Sequence, residues 1–171
     1  CISTQAATTI VSVPQGGTGD QANFGTNSGQ TFTTGLLGTD VFLSTIDLVG
    51  PNTAGGSDPV GPFTVKLWTD VDGNAETWDP GVEVAASLNA VTIPASNGSV
   101  TANFANDLLA SSTVYLMSFS NGSGDHQAFR MGLSAPSGSG PLGSDGKLFN
   151  STGSPGFGDN RELAFTVTSV P

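Results

Sequence analysis

The sequence predicts an all-β protein, an antiparallel two-sheet β-sandwich of jelly-roll type. Its apolar residues fall in short runs that alternate with polar residues, which is the period of half-buried strands. The 24 Gly and 10 Pro among 171 residues lie between these runs and mark many turns. Helical spacing is confined to Ala105–Ser111, which allows one or two turns of helix at most. About nine or ten short strands are therefore expected, as in sandwiches.

The strands are predicted in chain order from local pattern. Thr8–Val13 is rich in β-branched residues, which favour strands. Val41–Val49 alternates but loses phase between Leu43 and Ile46, which predicts a β-bulge. Thr113–Phe119 is apolar on both faces, so it is predicted to be a central strand buried from two sides. Strict alternation predicts five further strands, at Phe63–Thr69, Val82–Leu88, Val100–Phe104, Phe129–Leu133 and Leu163–Val167.

Length and charge limit the possible functions. A chain of 171 residues fits one domain, which we divide into an N-terminal strand or arm, residues 1–13, and a β-sandwich domain, residues 14–171. The net charge of −10 disfavours nucleic acid and anionic lipid as partners, because both require clustered Lys or Arg. No apolar run is long enough to cross a bilayer. Low charge and abundant Ser, Thr, Asn and Gly predict export, with the signal peptide removed.

One acidic loop is a candidate calcium site. The loop follows the strand Phe63–Thr69, and its candidate ligands are Asp70, Asp72, Asn74, Glu76 and Asp79. Calcium prefers such hard oxygen ligands, although the spacing is not that of an EF-hand. The alternative is a solvated turn in which Gly73 supplies a positive φ. Calcium is therefore a possible cofactor, and no other cofactor is predicted.

Two tryptophans are candidates for glycan binding. Trp68 lies on the polar side of its strand and Trp78 lies in the acidic loop, so the two rings could form a platform for sugars. The alternative is that both cover apolar surface within the domain or at a subunit contact.

The sequence does not favour an enzyme. His126 is the single histidine, and no serine lies in a Gly-x-Ser-x-Gly elbow. One histidine cannot build a typical zinc site. Cys1 is the single cysteine, so it can be lipidated, linked to another chain or inert.

The N-terminal arm is a candidate assembly element. Cys1, Ile10, Val11 and Val13 are its predicted contact residues, because an uncharged β-branched strand can add to the sheet of a neighbouring subunit. Pairing of the arm with its own sheet is the alternative. The chain has few lysines to blunt strand edges, which favours self-association into oligomers or filaments.

Four segments together resemble the choice-of-anchor R domain family of secreted bacterial β-sandwiches. They are GQTFTTG at 29–35, LSTIDL at 43–48, GPFTVKLWTDVDG at 61–73 and LASSTVYLMSF at 109–119. Members of that family often end in a strand, Val-Pro and a Pro-Glu-Pro sorting tripeptide, and this chain ends in FTVTSVP. The resemblance implies export and release or anchoring at the cell surface. It carries over no catalytic residues.

These observations predict a non-catalytic structural or adhesive protein of the cell surface or extracellular matrix that associates with itself by strand addition. The alternative is a carbohydrate-binding module in which Trp68, Trp78 and the acidic loop contact a polysaccharide.

Overall fold

The computed structural model describes residues 7–14, 21–24, 29–35, 40–50, 60–94, 98–120, 127–130, 146, 148–149 and 163–170, with the backbone alone at 21–24, 60 and 127–130. The described strands are β1 Thr8–Val13, β2 Gln21–Phe24, β3 Gly29–Thr33, β4 Val41–Val49, β5 Val60–Asp70, β6 Pro80–Ala86, β7 Val91–Ile93, β8 Ser99–Leu109, β9 Val114–Ser120, β10 Gln127–Arg130, β11 Leu148–Phe149 and β12 Phe165–Val170. None of the described residues belongs to a helix that is long and apolar enough to span a membrane.

Two antiparallel sheets pack against each other, so the predicted β-sandwich is confirmed. The four-stranded sheet has the order β1-β12-β4-β8, and the six-stranded sheet has the order β11-β3-β9-β5-β6, with β7 also paired to β5. Strands β10 and β2 form a separate two-stranded sheet. The chain passes from one large sheet to the other at several connections, among them β3–β4, β4–β5 and β8–β9. The finer assignment as a jelly roll stays a prediction.

The core lies between the two large sheets. Alternating side chains of each strand point into it, as period-2 patterning requires. Phe32 packs on Tyr115 and Phe165 with ring centroids 6.0 and 5.8 Å apart, which joins the two sheets at their centre. Around these rings the buried cluster includes Leu43, Ile46, Leu48, Val65, Leu67, Met117, Phe119 and Val167.

Several element predictions are confirmed by the strand pairing. The predicted bulge in β4 appears as a register shift between Leu43 and Thr45. The predicted central strand is β9, which lies between β3 and β5 and is buried from Tyr115 to Phe119.

One expectation needs correction. Ala105–Ser111 is not a helix, because residues 105–109 continue β8 and residues 107–109 pair with β4. The strand predicted at Thr8–Val13 is present as β1, and it pairs with β12 of its own sheet, which was the alternative to an arm that adds to a neighbour. The division at residue 13 therefore falls inside one sandwich.

Candidate functional site

The acidic loop between β5 and β6 lies across the outer face of the six-stranded sheet. The Thr31 hydroxyl of β3 donates a hydrogen bond of 2.7 Å to the carbonyl of Ala75 and so ties the loop to the sheet. Leu116 is fully buried although it points away from the main core, where it is the cross-strand neighbour of Trp68. The loop thus covers apolar surface from one side, while residues 71–74, 76 and 79 are exposed and Gly73 has a φ of 69°, as the solvated-turn alternative predicts.

Polar side chains of the loop bond the loop's own backbone. The Asn74 N–H donates to Oδ1 of both Asp70 and Asp72, at 3.0 and 2.9 Å. The Thr77 hydroxyl donates to the Asp72 carboxylate, and the Glu76 N–H donates to Asn74 Oδ1 at 3.0 Å. Loop shape is therefore fixed by the side chains that were candidate calcium ligands.

Two adjacent carboxyls in this loop affect each other's protonation. Partial burial, followed by a hydrogen bond with Asp72, raises the pKa of Asp70 above its ordinary 3.8. The same hydrogen bond, together with the Asn74 N–H, lowers the pKa of Asp72. Asp70 Oδ2 is buried and has no hydrogen-bond partner. Repulsion from the Asp72 carboxylate adds a smaller contribution that also favours the protonated form of Asp70.

The predicted calcium ligands are brought together only in part. The carboxylates of Asp70 and Asp72 both accept from the Asn74 N–H. Asp79 contributes its backbone carbonyl, which accepts a 3.0 Å bond from the Val71 N–H. Within the described ranges, no three His, Cys, Asp or Glu side chains converge as metal ligands would. Calcium binding stays a prediction.

The two tryptophans lie on the face that the loop covers. Trp78 packs on Phe149 with ring centroids 5.5 Å apart, and its ring lies so close to Gly29 that a Cβ there would be 3.0 Å from it. Trp68 donates from Nε1 to the Ser118 hydroxyl at 2.9 Å, and the Lys66 ammonium lies 5.7 Å from its ring centroid. Both rings are half-buried and engaged within the domain. The arrangement fits the alternative of covering apolar surface better than an open sugar platform.

Strand β1 forms one edge of the four-stranded sheet. Ile10, Val11 and Val13 are 9%, 2% and 2% exposed, and they belong to the main core. This corrects their proposed role: they anchor their own domain, so they cannot insert into a neighbour without leaving that core. Only Thr8, Thr9 and Ser12 have exposed side chains in β1.

The outer edge of β1 is open within the described part of the chain. Its one described strand partner is β12, and no described strand pairs on the other side. Half of the main-chain N–H and C=O groups of an edge strand point away from its neighbour. Strand β1 carries neither a charged residue nor an internal proline, and its single bulge, between Thr9 and Val11, is the one protective feature of this edge among those named below.

The opposite edge of the same sheet, β8, is capped. The Leu88 N–H donates to the Asn103 carbonyl, and the Asn89 side chain bonds the Asn103 N–H and the Thr101 carbonyl, all within 2.8 to 2.9 Å. Asn106 has a φ of 65°, and Asp107, opposite Leu43, has a buried carboxylate oxygen. Side-chain capping, irregular backbone and an inward charge are devices that prevent strand addition.

The remaining described edges of the large sheets are also protected. Strand β6 begins at Pro80, has two register shifts against β5, and carries Glu83, whose carboxylate pairs with Lys66 at 2.7 Å. Strand β11 has 2 residues and β7 has 3, with Pro94 directly after it. Short strands, proline, bulges and charge all discourage pairing with another chain.

Sequence reasoning missed the cap at Asn89. The available signal was an asparagine in the short turn between β6 and β7, since asparagine side chains commonly substitute for backbone hydrogen-bonding groups. The Asn89 side chain bonds residues of β8 that lie 12 and 14 positions further along the chain, so a local sequence pattern does not show the contact. Cys1 and His126 lie outside the described residues.

Comparisons with protein-family models, with curated proteins and with solved structures give no significant match to this chain.

Proposed function

We propose that this chain is a non-catalytic structural or adhesive module of the cell surface or extracellular matrix, which associates with itself by strand pairing. The observation that carries the proposal is the uncharged outer edge of β1, which pairs with no strand in the part of the chain that the structure describes. Export and surface location rest on the composition and on the resemblance to the choice-of-anchor R domain family.

The contact between two copies would consist of main-chain hydrogen bonds. A second strand beside β1 would accept and donate the hydrogen bonds that the outer edge leaves unused. The β1 side chains that remain exposed, Thr8, Thr9 and Ser12, are small and neutral, so they do not obstruct such a strand. In a chain of net charge −10, an uncharged edge is also where two copies can approach with least repulsion.

The test is sedimentation velocity over a micromolar to millimolar concentration range. We expect association in the native chain and its loss in a Thr9→Lys, Ser12→Lys double variant, because lysine blunts strand edges. The matched control places lysine at Ser99, an exposed residue at the start of β8, the capped edge of the same sheet.

The lysine substitutions also change the net charge of the chain, and the direction of this change separates an effect of the β1 edge from an effect of charge. Each lysine reduces the net negative charge of the chain, so general repulsion between copies falls in every variant. Weaker association in the β1 variant alone would therefore come from the edge. Equal association in all three proteins, or a monomer throughout, would contradict the proposal.

A further inference from the structure

We infer that the partner of β1 is the β1 strand of a second copy, and that association stops at a two-fold dimer. This inference rests on the proposed function, and it specifies the partner and the size of the assembly. It replaces the expectation of filaments.

Strand edges and symmetry together lead to this conclusion. A filament grows when one surface binds a different surface of the next copy, whereas a surface that binds itself across a two-fold axis closes. Growth through β1 would require a second receptive edge. Among the described strands of the two large sheets, β8 is capped by Asn89, β6 carries Pro80 and Glu83, and β7 and β11 are very short. The strands of the separate two-stranded sheet, β2 and β10, have 4 residues each and are shorter than β1.

Antiparallel pairing is the geometry that a two-fold axis provides. Two β1 strands related by such an axis run in opposite directions, and each offers the other the same row of unused N–H and C=O groups. The product is one continuous sheet of eight strands, since each copy contributes the four strands β1, β12, β4 and β8. The residues of the two strands then face each other in reversed order, so that Thr9 of one copy can lie opposite Ser12 of the other on the outer face.

Charge predicts how the dimer responds to salt. Two chains of net charge −10 repel each other, while the contact itself contains no ion pair that salt would weaken. Screening at an ionic strength of about 0.1 M already shortens the reach of charges to about 10 Å. Dimerisation should therefore strengthen with added sodium chloride.

Disulfide trapping tests the pairing. In a Cys1→Ser background, single cysteines replace Thr9 or Ser12 on β1, Val82 on β6, or Ser99 on β8. Opposed residues of antiparallel strands lie within the Cα separation that a disulfide requires. One register brings one of three pairs together, Thr9 with Thr9, Ser12 with Ser12 or Thr9 with Ser12, so we expect one of the two β1 variants alone, or their mixture, to form a covalent dimer under mild oxidation. The β6 and β8 variants should remain uncrosslinked at the same concentration.

Native mass measurement across salt concentration completes the test. A monomer–dimer equilibrium that shifts toward dimer with salt supports the inference. A ladder of larger species, or crosslinking at β6 or β8 as efficient as at β1, overturns the closed dimer while leaving edge association in place. A monomer at every concentration and salt level overturns both proposals.

Discussion

Replacing Tyr115 by phenylalanine should destabilise the sandwich through the loss of one hydrogen bond. The Tyr115 hydroxyl accepts a 2.8 Å bond from the N–H of Ala110, five residues earlier in the connection from β8 to β9. This connection joins the two sheets, and the contact resembles the tyrosine corner of other β-sandwiches. The ring is 3% exposed and packs on Phe32, so phenylalanine keeps the aromatic contacts.

The size of the effect follows from what becomes of the Ala110 N–H. A typical hydrogen bond contributes about 1 kcal/mol, and a buried donor left without an acceptor costs up to about 3 kcal/mol. Ala110 is half-buried, so water can partly replace the hydroxyl. We therefore expect a loss of about 1 to 2 kcal/mol. For a domain of this size that lowers Tm by about 2 to 8 °C.

Thermal melts of dilute protein, alongside urea unfolding, measure this loss. Thr101→Val is the matched control, because it also removes one hydroxyl, which donates to Asp47 on the exposed face of the four-stranded sheet. An exposed substitution of this kind should change stability by no more than about 0.5 kcal/mol. Equal Tm changes in the two variants, or none in Tyr115→Phe, would refute the role given to the Ala110 bond.

Three other substitutions or additions give defined outcomes. Val13→Ala should lower the unfolding free energy by about 1 to 3 kcal/mol without creating an assembly defect in protein that stays folded, because this side chain belongs to its own core; an unchanged urea midpoint would contradict that placement. Asp70→Asn should raise Tm near neutral pH and lose this advantage below pH 3.8. The raised pKa of Asp70 means that the folded state favours the protonated carboxyl, so the native chain loses stability as pH rises and Asp70 ionises. The neutral asparagine avoids this loss. Asp79→Asn controls for the charge change, and a gain independent of pH would exclude the Asp70 explanation. If the loop binds calcium, millimolar calcium should raise Tm relative to EDTA in the native chain and not in an Asp72→Asn variant; identical midpoints in the native chain would remove calcium from the account.

Local pattern was sufficient for most strands and insufficient for their partners. The bulge in β4 was readable because its phase change lies between two apolar residues, Leu43 and Ile46, of a single segment. The false helix at residues 105–111 came from the same kind of signal. The positive φ of Asn106 interrupts the alternation of β8. Leu108 and Leu109 therefore follow Ala105 by three and four positions, which is the spacing of a helix face.

Non-local contacts explain what the sequence could not provide. Thr8–Val13 was identifiable as a strand, yet its partner β12 lies at the other end of the chain. Trp78 was a candidate for glycan binding because it follows Trp68 closely and lies in a loop, whereas its position is decided by Phe149 and Gly29, which are distant in sequence. Whether a strand edge lacks a partner among the described strands depends on where each of those strands lies, so it could be recognised only in the folded chain.

Amide hydrogen exchange at two protein concentrations tests the role of the β1 edge most directly. The outward N–H groups of residues 8–13 have no described strand partner in a single chain, so they should exchange quickly in dilute solution. At high concentration and moderate salt, we expect residues 8–13 to become protected while exchange in β6 and β8 is unchanged. Protection that appears in β6 or β8 instead, or exchange in residues 8–13 that is the same at both concentrations while the protein is shown to be associated, would contradict it.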